Sequence, residues 1–180
     1  MNTVRIVGGD WRRRLLRFPD SEGLRPTPDR VRETLYNWLG QDLTDQACLD
    51  LFAGSGALGF EAASRGASRV TLVEQNAKVF AALKTNAALL GGAARVELLR
   101  GDALQYAAST ASRFDLILLD PPYRQGWIDR LVPHLDRLAR EDAALYVEAE
   151  YAIDSLGPWT TTRRGRAGEV HYHLLRREPA

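Results

Sequence analysis

The chain has 180 residues, 45% of them hydrophobic and 26% charged, with a formal net charge of +1. That length suits a single domain with a sizeable core, and no apolar run nears the roughly 18 residues a bilayer span needs. With no apolar signal region at the N-terminus either, a cytoplasmic location is expected and a membrane partner is not. Cys48 is the only cysteine, which leaves no disulfide framework or zinc cluster; inside the apolar run 47–52 it reads as a small buried side chain.

The charge is unevenly spread. Of the 24 basic residues, 22 are arginine. Arg5, Arg12, Arg13, Arg14 and Arg17 face one acid, Asp10, over residues 1–17. Arg163, Arg164, Arg166, Arg176 and Arg177 stand against Glu169 over residues 163–177. The planar guanidinium matches phosphate oxygens and base edges, so basic ends around a neutral middle suit a nucleic-acid partner as well as they suit solvated faces.

In chain order, residues 4–18 alternate loosely around Gly8-Gly9, a pair that favours a hairpin turn. Residues 1–23 are therefore expected to form a basic hairpin extension, and residues 24–180 one globular domain. Leu24 to Pro28 is extended, because a residue before proline avoids the helical region. Thr27 reads as an N-cap, with Pro28 opening an amphipathic helix to about residue 39. Apolar stretches at 47–52, 69–73, 96–99, 114–119 and 143–149 read as strands. Helical segments near 57–65, 76–90 and 126–140, and a shorter one after Asp102, separate most of them. That alternation predicts an α/β fold with a doubly wound, mostly parallel sheet. Residues 160–164 and 170–175, joined through Gly165 to Gly168, predict a closing antiparallel hairpin.

The strand ends carry the chemistry. Asp50-Leu51-Phe52-Ala53-Gly54-Ser55-Gly56-Ala57-Leu58-Gly59 leaves the first buried strand and enters a helix. Gly54, Gly56 and Gly59 fit G-x-G-x-x-G, which allows a tight turn, close ligand approach and close helix–strand contact beside a helix start that attracts anions. Alone, the pattern fits dinucleotides as well as other nucleoside cofactors. Glu74, next to Gln75, ends the second strand, where an acid accepts from ribose hydroxyls. Asp102 and Ala103 end the third, where an adenine amino group can be met. Each acid by itself is equally a cap or turn former; in register beside the glycine loop they outline a ribose-and-adenine pocket.

Asp120-Pro121-Pro122-Tyr123 closes the run 114–119. An acid, two φ-locked residues and an aromatic ring make a stiff platform, with acceptors at one end and a stacking face at the other. It suits a flat heterocycle bearing an amino group. Trp11 and Trp127 read either as base-stacking residues or as core packing. His171 and His173 share a strand face, but with no third ligand they read as sheet residues, and no metal is expected.

The series Asp50, Gly54-x-Gly56, Glu74, Asp102 and Asp120-Pro121-Pro122-Tyr123 resembles class I S-adenosylmethionine-dependent methyltransferases acting on an exocyclic amino group. Arg25-Pro26-Thr27-Pro28 with the helix through Leu39, the opening Arg5 to Arg12 and the closing Gly168 to Tyr172 narrow the likeness. Over nearly the whole chain they resemble the small-subunit ribosomal RNA guanine-N2 methyltransferase family. Two positions depart slightly: Tyr123, where Phe is also used, and Pro28 in the helix entry.

The resemblance implies a Rossmann-like, seven-stranded sheet and S-adenosylmethionine as cofactor. The cofactor would be bound by Thr27, Asp50, Ala53, Gly54, Ser55, Gly56, Gly59, Glu74, Gln75, Asp102, Ala103 and Asp120. Catalysis would fall to Asp120, Pro121, Pro122 and Tyr123. The partner would be 16S ribosomal RNA in an assembling small subunit, held by Arg5, Arg12, Arg13, Arg14, Arg25, Arg30 and Arg32, and the protein would act as a monomer. Hydrogen bonds from the amine to the Asp120 carboxylate and Pro121 carbonyl would draw the nitrogen toward tetrahedral geometry, with Tyr123 stacked on a flipped or unpaired base. Adenine-N6 or cytosine-N4 methylation is the nearest rival, since Asp-Pro-Pro-Tyr serves any exocyclic amine. An NAD-dependent oxidoreductase explains the glycine spacing but not Asp120-Pro121-Pro122-Tyr123. A non-catalytic RNA-binding assembly factor explains only the basic ends.

Overall fold

A computed structural model describes residues 1–178. Strands β1 (Asn2–Arg5) and β2 (Leu15–Phe18) pair as an antiparallel ribbon ahead of helix α1 (Asp29–Trp38). Strands and helices then alternate: β3 (Ala47–Asp50), α2 (Ala57–Ser64), β4 (Arg69–Glu74), α3 (Ala77–Leu90), β5 (Val96–Arg100), α4 (Ala103–Ser109), β6 (Phe114–Leu119), α5 (Trp127–Leu138) and β7 (Ala139–Ala149). Three strands finish the chain: β8 (Ser155–Leu156), β9 (Trp159–Ala167) and β10 (Val170–Arg177). The main sheet runs β5-β4-β3-β6-β7-β10-β9-β8, parallel through β7 and antiparallel beyond it. The expected seven strands are present, and two-residue β8 adds an eighth at the edge. No described helix is long and apolar enough to cross a membrane.

Strand geometry sends neighbouring residues to opposite faces, and both faces are covered. Cys48, Leu72, Leu116, Leu118 and Tyr146 pack on one side with Tyr36, Phe60 and Leu83. Leu49, Leu51, Ile117, Leu119, Leu145 and Val147 pack on the other with Leu131 and Leu135. Two-sided burial is why these strands read as unbroken apolar runs. Burial also pushes the Cys48 thiol up to about 12.

Three local expectations are corrected. Gly8-Gly9 is not a hairpin turn; residues 6–14 form a longer connection docked on α2. A Cβ at Gly9 (φ +79°) would fall 1.9 Å from the Ser64 carbonyl oxygen, which accepts from Asp10 N at 2.7 Å. Thr27 does not cap α1. Pro28, at ψ 151°, is the residue before the first helical position, Asp29, and the Thr27 hydroxyl is spent elsewhere. The final turn is Gly168-Glu169, while Gly165 lies inside β9 opposite Tyr172, whose ring covers it.

Candidate active site

All five parallel strands point their carboxyl ends to one edge, which gathers Asp50, Glu74, Asp102, Asp120 and Glu148. Strand alternation sets Asp50, Asp120 and Glu148 toward the Cys48, Leu118 and Tyr146 side of the sheet. Leu119 registers with Val147, so Asp120 and Glu148 are the next facing pair. The loop between β3 and α2 is cinched to its surroundings. Gly54 N donates to Glu74 Oε1 at 2.9 Å, Gly59 N to Asp50 Oδ2 at 3.1 Å, and Ala57 N to Ser55 Oγ at 3.2 Å. Ala53 N donates to the Val73 carbonyl at 3.0 Å. At Gly56 (φ +84°) a Cβ would strike the Phe60 ring at 2.4 Å, and at Gly59 it would meet Leu72 Cγ at 2.9 Å. The close helix–strand approach needs those glycines.

Glu148 is the site residue that sequence reading passed over. It is 3% exposed, and Thr27 Oγ1 donates to its Oε2 at 2.5 Å. Burial lifts its carboxyl to about 7, against the opposing pull of the Thr27 and Tyr146 hydroxyls. Its signal was available: an acid at the carboxyl end of a buried strand, as at 50, 74 and 102. Burial likewise lifts Asp50 to about 7, assisted by the charges of Glu74 and Glu148 and opposed by backbone N–H donors. Asp120 is held well above the usual carboxylate range, first by burial and then by Glu148 and Asp50.

Among the described residues, Asp50, Asp120 and Glu148 form no ion pair, and buried Asp50 Oδ1 accepts no hydrogen bond. Acids concentrated without a cation of their own fit a ligand that brings one.

The other candidates divide. Glu74 also accepts from Asn76 N at 2.8 Å, so it braces both the glycine loop and the entry to α3. Asp102 caps α4 through Gln105 N at 2.9 Å, Ala103 is buried beside it, and Gln75 is exposed at the rim. Pro121, Pro122 and Tyr123 line a cleft of about 220 Å³ with Glu148, Glu150 and Tyr151. Tyr123 and Tyr151 present exposed rings there. Trp127 is packed edge-on to Phe52 at 5.3 Å beneath Arg130. Trp11 is buried under Arg95. His173 is buried, with Nε2 accepting from Ile153 N and Nδ1 facing the Val147 carbonyl, so neither ring nitrogen is spare.

Arg32 is the clear misassignment among the expected RNA contacts. Its side chain is fully buried, paired with Glu61 at 3.0 Å and Asp29 at 2.5 Å, and it donates to the Thr27 and Arg5 carbonyls. It holds the fold together and presents nothing to phosphate. Arg5 is exposed but pairs with Asp29 at 2.6 Å. Arg12, Arg13 and Arg14 are exposed at the far ends of α2 and α3, where Asp10 N meets Ser64 O and Arg14 meets Leu89 O. With α3 roughly 21 Å long at 1.5 Å per residue, that cluster is well removed from the acids. Arg30 is exposed on the first turn of α1, and Arg25 is exposed closer in, between Leu24, which packs on Gly54, and Thr27.

This arrangement has close relatives. The curated Ribosomal RNA small subunit methyltransferase D of Escherichia coli K12 is 43% identical over 97% of this chain and 90% of that protein. Its Haemophilus influenzae namesake is 39% identical over 95% and 92%. A solved Escherichia coli methyltransferase superposes with a TM-score of 0.88 at 39% identity, covering 99% of this chain and 100% of that one. The RNA methyltransferase of Salinibacter ruber, solved with S-adenosyl-L-homocysteine, shares the fold at TM-score 0.69 and 20% identity, over 86% and 94%. A family profile matches residues 4–176, a span that takes in these strand ends and residues 120–123 of this chain, and the chain belongs to that family, Conserved hypothetical protein 95.

Proposed function

We propose that the protein transfers a methyl group from S-adenosylmethionine to the exocyclic N2 of a guanine in small-subunit ribosomal RNA. The observation that carries this reading is the cation-free acid cluster of Asp50, Asp120 and Glu148 beside the glycine loop and the Asp120-Pro121-Pro122-Tyr123 platform. The cofactor supplies an electrophilic methyl on a positively charged sulfur, and its second cation, the amino group, suits the same acids. Thr27, Ala53, Gly54, Ser55, Gly56, Gly59, Glu74, Gln75, Asp102 and Ala103 would hold its polar groups and adenosine, with Asp50 Oδ1 supplying an open acceptor. Asp120 and the Pro121 carbonyl orient the amine lone pair, Asp120 is the nearest base for the proton the amine gives up, and Tyr123 stacks on the base. Arg25 and Arg30 would meet phosphates near the flipped nucleotide, and Arg12, Arg13 and Arg14 would meet RNA farther away. Residues 1–23 would then serve as a basic extension of one catalytic domain acting as a monomer in the cytoplasm, on RNA in an assembling particle.

The test is transfer of labelled methyl from S-adenosylmethionine to unmethylated small-subunit particles, naked 16S RNA and DNA. Label in the RNA at guanine N2, lost with Asp120→Ala while RNA binding persists, is the expected result. Label in DNA alone, or full activity of Asp120→Ala, contradicts the reading.

A further inference from the structure

Guanine, adenine and cytosine all carry an exocyclic amine, and they differ at the ring nitrogen beside it. In guanine that nitrogen, N1, carries a hydrogen, so amine and ring present two donors side by side. In adenine and cytosine it is a bare acceptor. An enzyme that grips a flipped base by its pairing edge can read this difference directly.

We propose that Glu148 selects guanine, its carboxylate accepting from N1–H while Asp120 accepts from the N2 amine. The inference rests on the methyltransferase reading above. Asp120 and Glu148 sit on one face at the ends of neighbouring parallel strands, one step beyond the registered pair Leu119 and Val147. Two adjacent acceptors match a donor–donor edge. Thr27 fixes one Glu148 oxygen, so the carboxylate has a set orientation. The buried Tyr146 hydroxyl, on the same face, bears on the Glu148 carboxyl as Thr27 does, and among the described residues neither acid has a basic partner. Of the other acids lining the cleft, Glu150 is paired with Arg124 at 3.7 Å and Asp129 is exposed on the first turn of α5, which leaves Glu148 as the buried one without a cation among the described residues. At about 220 Å³ the cleft lined by Pro121, Tyr123, Glu148 and Tyr151 is smaller than the roughly 300–1,000 Å³ of sites for drug-sized ligands, a scale that suits one base between exposed aromatic rings. Adenine in the same pose would set its N1 lone pair against the Glu148 carboxylate and leave a buried acceptor unmatched. Sites built around a hydrogen bond reject analogues that lack it more strongly than apolar pockets reject a missing methylene.

The experiment compares, at pH 8 where the Glu148 carboxyl is ionised, an RNA carrying the target guanine with the same RNA carrying 2-aminopurine there. That base keeps the N2 amine and lacks N1–H and the O6 carbonyl, so the change in ratio on substituting Glu148 isolates the N1 contact. Wild-type protein should favour guanine in kcat/KM on the order of 10–100-fold, the range of one charge-assisted hydrogen bond. Glu148→Gln, whose amide can donate to a bare N1, should lose guanine activity and bring the ratio close to one. Equal wild-type use of both RNAs overturns the proposal even if the variant does not fold, and so does an unchanged ratio in a folded Glu148→Gln. Absence of transfer to guanine with transfer to another amine removes the functional reading itself, and the proposal with it.

Discussion

Thr27 Oγ1 donates to Glu148 Oε2 at 2.5 Å across 121 positions of sequence, tying the extended segment before α1 to the carboxyl end of β7. Leu24, in the same segment, lies over Gly54. One short stretch therefore covers the glycine loop and positions the acid beside Asp120. Thr27→Val keeps the shape and removes the donor. The expected cost is about 1.5–3 kcal/mol at pH 8, where Glu148 is ionised, and less at pH 5.5. Urea unfolding at both pH values measures it; equal costs would mean that the hydroxyl does not serve the carboxylate.

Arg32 and Glu61 are both fully buried, and Glu61 also accepts from Val7 N, Gly8 N and Arg65. Glu61→Ala leaves the buried Arg32 with Asp29 as its one remaining acid and strands two backbone N–H groups. A loss of about 3–5 kcal/mol is expected, of the size found when one partner of a buried pair is removed. Residues 6–14 should become the first site of limited proteolysis, because their docking on α2 runs through Glu61 and Ser64. Proteolysis that still begins elsewhere would assign that docking to other contacts.

The same two residues show where sequence reading stops. Strand runs such as 114–119 and the G-x-G-x-x-G loop were legible because two-sided burial and glycine geometry are local constraints that leave local patterns. Arg32 looks like a phosphate contact in the sequence because its acceptors, Glu61 and the Arg5 carbonyl, come from distant segments. Thr27 resembles a cap for a similar reason: its true acceptor lies on the last parallel strand. Glu148 is hidden in sequence because the apolar run around it looks like core, although an acid inside such a run needs a partner or a ligand.

Asp50 and Glu148 titrate near 7 in the folded chain, well above an unfolded carboxyl. The folded state thus binds their protons more tightly, so protonation stabilises it. That contribution is complete below the unfolded carboxyl range and fades as pH rises through about 7. The ligand-free protein should lose melting temperature between pH 5 and pH 8. The ionised acids hold a cation better, so S-adenosylmethionine should raise the melting temperature more at pH 8 than at pH 5.5. S-adenosylhomocysteine, without the sulfonium charge, should show a weaker pH trend. Thermal shift assays across this range provide the check, and a reversed trend with S-adenosylmethionine would mean the acids do not face its charge.

Tyr123 is 37% exposed at the cleft mouth, directly after the two prolines that stiffen its backbone. A ring so exposed contributes little to the core, so its removal tests recognition rather than folding. Stacking of a base on an aromatic side chain is worth about 1–3 kcal/mol, so Tyr123→Ala should lower kcat/KM roughly 5–150-fold with the melting temperature nearly unchanged. Tyr123→Phe keeps the stacking face and should retain most activity, because the hydroxyl, pushed up to about 12 by burial and by the Asp120 charge, stays neutral at working pH. If Phe is as damaging as Ala, the hydroxyl rather than the ring makes the contact. If neither matters, the base stacks on Tyr151, the other exposed ring of the cleft, and Tyr151→Ala should then carry the loss.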